Sequence, residues 1–315
     1  MTTTESEEIA GWTALRASSP RRRRRGGLER TRRRAGWIML APALLHMGIF
    51  LLLPMAMAVF LSFTDYQFLG TYKVIGIQNY IDLLSDERFK TATSNTILYT
   101  LVTVPFAMAL ALLVALGLNA KIRAKGAFRV LYYLPQVTAT VAIATVWLWI
   151  YQPNVGLANS LLGLVGIPPQ QWLTSTQLAL PSLMLVGIWQ GLGAKMVVYL
   201  AALQNVSRDQ IEAAQLDGAN RWQIFRHVTW PALGPAHFFV LVTSIIASFQ
   251  VFDLVFVMTK GGPGDSTTVM TFELYEQAFQ SLKLGYASAQ SVVLVVLIGI
   301  VTVIGVRLQR RGSDV

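Results

Sequence analysis

Six mostly apolar stretches divide this chain, at 36–63, 95–118, 128–151, 178–203, 237–258 and 286–308. About 20 apolar residues in a helix span the hydrocarbon core of a bilayer, and each stretch reaches that length. The first contains Pro42 and Pro54, which membrane helices tolerate better than soluble ones do. The third opens on Arg129-Val130-Leu131-Tyr132-Tyr133-Leu134-Pro135 and ends on Trp147-Leu148-Trp149, aromatics suited to anchoring at an interface. Between the first two stretches, Gly76-Ile77-Gln78-Asn79-Tyr80-Ile81-Asp82-Leu83-Leu84 predicts a short helix lying at the interface. The segment 152–177 has no charge, and Asn159-Ser160 and Pro168-Pro169 make it rich in turns. Residues 1–35 lack periodic apolar content and read as disordered. The remaining interruption, 204–235, is long and polar, and a pattern runs through it. Ile211, Leu216, Trp222, Ile224 and Phe225 alternate with Asp209, Glu212, Asp217, Arg221 and Arg226, which predicts short amphipathic helices. Gly218 falls where such a helix must stop or turn.

Composition agrees with a membrane protein. Hydrophobic residues make up 54% of the 315 and charged residues only 13%, so the chain belongs among integral membrane proteins. The net charge is +10, but its distribution says more. Arginines fill 21–25 and recur at 30, 32, 33 and 34, ahead of the first stretch. Lys121, Arg123, Lys125 and Arg129 separate the second from the third. Arg208, Arg221 and Arg226 separate the fourth from the fifth, and Arg307, Arg310 and Arg311 close the sixth. The alternate segments hold only Lys73, Arg88, Lys90, Lys260 and Lys283. Cytoplasmic segments carry the excess of Lys and Arg, which predicts cytoplasmic termini and a cytoplasmic 204–235 segment. The basic leader is read as an orienting tail at an anionic leaflet and not as a nucleic-acid site. Nor is it a cleaved signal peptide, because no small-residue cleavage pattern follows a short apolar core.

Catalytic signatures are missing. The run Gly191-Leu192-Gly193-Ala194-Lys195 lacks phosphate-loop spacing, so ATP hydrolysis by this chain is not expected. His46, His227 and His237 are too scattered for a zinc site, and the chain has no cysteine. There is no G-x-S-x-G elbow. Catalytic and metal-ligating residues are therefore both read as none.

The interruption itself reads Glu212-Ala213-Ala214-Gln215-Leu216-Asp217-Gly218-Ala219, with Pro231 leading into the fifth stretch. This resembles the E-A-A loop of the membrane subunits of binding-protein-dependent ABC importers. Further along, Thr259-Lys260-Gly261-Gly262-Pro263 resembles the T-x-G-G-P turn of the sugar-importing branch, as does the run from Gly76, Asn79 and Tyr80 to Asn95-Thr96. These landmarks cover the chain from about residue 36 onward, in the family's order. The chain is thereby identified as a carbohydrate-type ABC importer permease, similar to the maltose and glycerol-3-phosphate transporter subunits.

That resemblance implies an all-α integral membrane protein with six transmembrane helices in the type I importer fold, set in a bacterial or archaeal inner membrane. It implies a coupling helix made of Glu212, Ala213, Ala214, Leu216, Asp217, Gly218 and Ala219, with Phe225 packing beside it, seated on a cytosolic ATPase pair. ATP and Mg²⁺ would be bound by that ATPase and no cofactor by this chain. The other implied partners are a second permease, most simply a paralogue forming a heterodimer, and an extracytoplasmic sugar-binding protein. Alignment on the family's landmarks places substrate contacts at Gln190, Gly191, Ser244, Ser248 and the neighbourhood of Gln250 and Val251.

Polar residues within spans point the same way, because they are costly in lipid and face a cavity or the bundle interior. Hydroxyls and amides suit a sugar, and Trp189 offers a face for stacking. Ser and Thr also serve ordinary helix packing. Lys195 has two readings: a side chain reaching along its helix to the nearer surface, or a cationic contact for an anionic solute such as a phosphorylated polyol. Asp253 is read as pairing with a neighbour or lining a gate. Lys195 and Asp253 are also the slender support for the competing class, an ion-coupled secondary transporter.

Overall fold

The computed structural model describes residues 25–313 apart from 69, 121 and 122, with side chains described from 35 to 307. The predicted disordered leader falls outside the described residues up to 24, but the backbone is already helical from Arg25. The chain divides into two compact units between Met57 and Ala58.

The first unit contains α1 (Arg25–Met47), a π-helical turn (Gly48–Leu52) and the start of α2 (Leu53–Leu61). The wide turn comes just before Pro54, whose ring would collide with the carbonyl of Phe50 in a regular helix. The Leu53 N–H instead bonds the Gly48 carbonyl, five residues back. The same device recurs at Phe225–Thr229, where the Trp230 N–H reaches the Phe225 carbonyl just before Pro231.

The second unit holds the remaining elements: α3 (Gln78–Ser85), α4 (Glu87–Asn119), α5 (Lys125–Val137), α6 (Thr140–Ile150), α7 (Leu157–Leu164) and α8 (Ala179–Gln204), then α9 (Arg208–Leu216), α10 (Arg221–Ile224), α11 (Gly234–Phe249), α12 (Asp253–Met258), α13 (Met270–Tyr275) and α14 (Leu284–Ser313). The interfacial helix predicted at 76–84 is α3. Its Asn79 is buried and donates to the carbonyls of Ser62 and Thr64 at 2.9 and 2.8 Å, which ties α3 to the turn after α2.

Five helices among the described residues are long and apolar enough to cross a membrane. The third predicted span is different. It is two helices, α5 and α6, bent by 99° at Thr138 and Ala139, which are extended. Pro135 accounts for the weakness, since it withholds an N–H from the α5 ladder just before the break. The fifth span is interrupted more mildly, with residues 250–252 separating α11 from α12.

α4 and α8 form the central pair; α5 crosses α8, and α11 lies against α4 and α14. The α5–α8 crossing depends on Gly193. A Cβ there would collide with the Tyr132 carbonyl oxygen and lie 2.8 Å from the Tyr133 Cα. Two apolar cores lie along the central pair. One gathers Tyr99, Leu183, Val186, Val255 and Phe272. The other gathers Ala111, Ala115, Met196, Tyr199, Leu203 and Leu233, nearer the end that carries 204–235. Between them, at mid-length of α4, α8 and α11, the helices do not close.

At the opposite end, Arg88 on α4 clasps the 265–276 segment. Its Nε meets Asp265 Oδ1 at 3.1 Å and its Nη1 meets Glu273 Oε2 at 3.2 Å, while Nη2 bonds Glu276. Asn95 donates to the carbonyls of Asp265 and Thr268, and the Met270 N–H donates to Thr96 Oγ1 at 2.9 Å. The Asn95-Thr96 pair of the sequence motif therefore anchors the Gly-Gly-Pro turn.

Glu273 is fully buried, and that burial pushes its carboxyl above the ordinary range, against the opposing pull of Gln277 and Arg88. A raised folded-state value means that the unfolded chain loses this proton first as pH rises. The stabilisation is then complete below the ordinary carboxylate range and is lost as pH climbs through the folded value. Thermal unfolding followed across mildly acidic pH should show stability falling with rising pH in that window. Glu273→Gln should flatten the slope, and an unchanged slope would assign it to other groups.

Candidate functional site

The opening between the two cores is a cavity of about 520 Å³. α4 contributes Tyr99, Thr103, Val104 and Ala107; the α5–α6 bend contributes Gln136 and Thr140. α8 adds Gly187, Gln190, Gly191, Ala194, Lys195 and Val198. α11 and the break after it add Phe239, Thr243, Ser244, Ala247, Ser248 and the run from Gln250 to Leu254. Irregular backbone at membrane depth is tolerated where it lines a cavity, and both interrupted spans open here.

Of the residues expected along the pathway, Gln190, Gly191, Ser244, Ser248, Gln250 and Val251 line this cavity. Trp189 does not. Its ring meets Trp147 edge-on at 5.6 Å, and Phe252 supplies the aromatic wall instead. Gln190 Nε2 donates to Thr140 Oγ1 at 3.0 Å, which fixes the amide across the bend. The single Ser248 hydroxyl proton is shared between Thr100 Oγ1 at 3.0 Å and the Ile245 carbonyl at 2.9 Å, so the side chain braces α11 against α4. Ser244 is buried, and its hydroxyl has no protein partner. A buried polar atom left in that state costs free energy.

Lys195 departs from the reading in which it reaches the nearer surface. Its ammonium turns back along α8, donates to the Gly191 carbonyl at 3.0 Å and faces the cavity. Asp253 lies on the wall beyond the 250–252 break, exposed. Gln136 and Thr140 were missed in the sequence. Their signal is the proline at 135, followed by polar residues at 136, 138 and 140 inside an apolar run.

At one end of the second unit, 204–235 folds as predicted into short helices. Ser207 caps α9 by accepting from the Gln210 N–H. Gly218, at φ 79°, ends α9. Its N–H bonds the Gln215 carbonyl at 3.1 Å and the Ala219 N–H bonds the Ala214 carbonyl at 2.9 Å, the paired closure that needs a left-handed residue. Asn220 and Gln223 then form a reciprocal capping box for α10. Glu212, Ala213, Leu216, Asp217 and Gly218 are exposed, and Leu216 retains 90% of its surface. Phe225 instead turns inward against the neighbouring core.

From Phe225 a file of rings leads into the bundle. Trp222 stacks on Phe225 at 5.6 Å, Phe225 meets Trp230 at 6.0 Å, and Trp230 meets His237 at 4.3 Å. His237 Nδ1 and the Tyr199 hydroxyl are 3.1 Å apart. Tyr199 is buried on α8 one turn beyond Lys195, so the exposed loop and the cavity helices share one packed connection.

Comparison with known proteins places the arrangement. The chain is 31% identical to the multiple sugar-binding transport system permease protein MsmF of Streptococcus mutans, over 88% of this chain and 95% of that one. It is 34% identical to the lactose transport system permease protein LacF of Rhizobium radiobacter, over 85% and 91%. Among solved structures, it superposes on a chain of a bacterial alginate ABC transporter in complex with an alginate pentasaccharide-bound periplasmic protein. That match has a TM-score of 0.80 and 25% identity, covering 92% of this chain and 98% of that one. Residues 87–313 match the family of binding-protein-dependent transport system inner membrane components. With that match covering most of its length, the chain belongs to this family of ABC transporter permeases.

Proposed function

We propose that this chain is the membrane-spanning permease of an ATP-driven importer that takes up a sugar delivered by an extracytoplasmic solute-binding protein. The observation that carries the reading is the mid-length cavity. Hydroxyls and amides from Thr103, Gln136, Thr140, Gln190, Thr243, Ser244, Ser248 and Gln250 line it, between two apolar cores. Lactose and multiple-sugar systems among the relatives, and alginate in the solved complex, support a carbohydrate as cargo.

In this reading the termini and 204–235 face the cytoplasm of a bacterial or archaeal cell, in keeping with the excess of Lys and Arg in those segments. The exposed face of α9, from Glu212 to Leu216, seats on a cytosolic ATPase pair that binds ATP and Mg²⁺; this chain transports and does not hydrolyse ATP. A second permease, a paralogue, closes the open side of the cavity. ATP and the loaded binding protein stabilise different states of the assembly, and that difference drives alternating access. The substrate pathway runs through Gln190, Gly191, Ser244, Ser248, Gln250 and Val251.

The test is a tagged pull-down from native membranes in mild detergent, with mass spectrometry of what stays bound. An ATPase and a second multi-span subunit in stoichiometric amounts are expected. Recovery of the chain alone in several detergents, with uptake abolished by a protonophore and indifferent to ATP, would transfer the protein to the secondary transporters.

A further inference from the structure

Lys195 is the one cationic residue on the cavity wall among the described residues. It is half-buried at mid-bundle, and no carboxylate lies within 4.0 Å of it. Its protein contact is the Gly191 carbonyl, one turn back on the same helix, which leaves donors of the ammonium directed at the cavity. Lys195 lies nine positions before the end of α8 at Gln204, about 14 Å at helical rise and farther than its side chain reaches, so the ammonium stays at the level of the cavity. Asp253 shares the cavity wall but lies beyond the 250–252 break, exposed to water where its charge is screened. The cavity is thus polarised, with an unpaired cation deep on α8 and a carboxylate toward the opposite end.

We infer that the solute carries one anionic group, a carboxylate or a phosphate, and that Lys195 binds it while the hydroxyl-bearing remainder lies along Gln190, Ser244 and Asp253. This rests on the cavity being the transport site, and it narrows the cargo from sugars in general to acidic sugars. An anion held against a half-buried ammonium gains far more than it would at a surface, because little water competes. A neutral sugar would leave the ammonium without a counter-charge.

The experiment is ATP-dependent uptake of radiolabelled digalacturonate, glucose 6-phosphate and lactose by right-side-out vesicles carrying the complete importer with its binding protein. Wild type is compared with Lys195→Met and Lys195→Arg. One of the two anionic probes should be taken up in preference to lactose, and which one identifies carboxylate or phosphate. Lys195→Met should raise its apparent KM about tenfold, a difference of about 1.4 kcal/mol, and Lys195→Arg should restore it. Lactose uptake that is preferred and unchanged in Lys195→Met overturns the assignment and leaves the sugar importer standing. Failure of both anionic probes to be taken up ATP-dependently overturns this inference, whereas the importer reading falls only if the tagged chain is recovered without an ATPase.

Discussion

Glu212→Lys and Gly218→Asp are each expected to reduce ATP-dependent uptake to background while the protein inserts at normal amounts. Both residues lie on the exposed side of the α9 hairpin, so neither substitution disturbs a core. Glu212→Lys reverses the charge on the face proposed to meet the ATPase, turning an attraction into a repulsion at the same point. Gly218→Asp acts through shape. At φ 79° a side chain costs roughly 1 kcal/mol, and the added Cβ meets no neighbouring atom. The body therefore tolerates it while the closure that ends α9 is strained and α10 is re-aimed. The connection onward is stiff, because Trp222, Phe225, Trp230 and His237 stand in ring contact up to Tyr199. A small error at the loop therefore reaches α8 and α11, the helices that carry Gln190, Lys195 and Ser244. The measurement is uptake alongside co-purification of the ATPase. Loss of both by Glu212→Lys, and loss of uptake with retained ATPase by Gly218→Asp, would separate docking from transmission. Wild-type uptake by both variants would remove 204–235 from the coupling role.

The apolar pattern carried most of the fold because a bilayer imposes length and polarity so directly. Five of the expected spans map onto helices, and the fifth of the predicted stretches is helical on both sides of its break at 250–252. The third stretch showed its composition but not its break, for a physical reason. A run such as 128–151 has the composition of a crossing helix, and a proline inside it is compatible with either a kink or a reversal. Only packing chooses between them, here the approach of Tyr132 and Tyr133 to Gly193. The same limit explains the cavity. Gln190 and Ser244 were legible because polar atoms in an apolar run must face something polar. Trp189 was misplaced because an aromatic side chain suits a lipid interface, a core or a sugar equally, and its partner Trp147 lies far off in sequence. Lys195 could not be resolved from sequence at all. The lean of its side chain toward Gly191 is ordinary helix geometry, but the cavity that α4, α8 and α11 leave there follows only from packing. The short helices of 204–235 were the most legible part, since their caps at Ser207, Gly218 and Asn220 are local.

Arg88→Met should destabilise the protein by roughly 1–3 kcal/mol, less than the loss of one partner of a fully buried pair, because Glu273 is buried but the guanidinium is partly exposed. The loss should fall on the end of the bundle away from 204–235. Arg88 is the only cation among the described residues within ion-pair distance of Asp265, Glu273 and Glu276, and Glu273 has no exposed side-chain surface. Without the guanidinium, the Glu273 carboxylate would keep only Gln277 as a hydrogen-bonding partner and would take up a proton at higher pH than in wild type. The double variant Arg88→Met with Glu273→Gln removes the stranded charge together with its partner and should recover much of the loss. A surface ion pair would behave differently, costing less than about 1 kcal/mol and showing no rescue. Thermal unfolding of the purified protein in one detergent, with a double-mutant cycle across the two positions, decides between these. Independent, additive losses would mean that Arg88 merely decorates the surface. Strong coupling would make it the clasp that holds the 265–276 segment on α4, and with it the Val251 carbonyl that Thr271 grips at the cavity wall. The clasp at one end and the aromatic file at the other would then hold the same cavity from opposite sides, so that either one could be weakened without the cavity lining itself being touched.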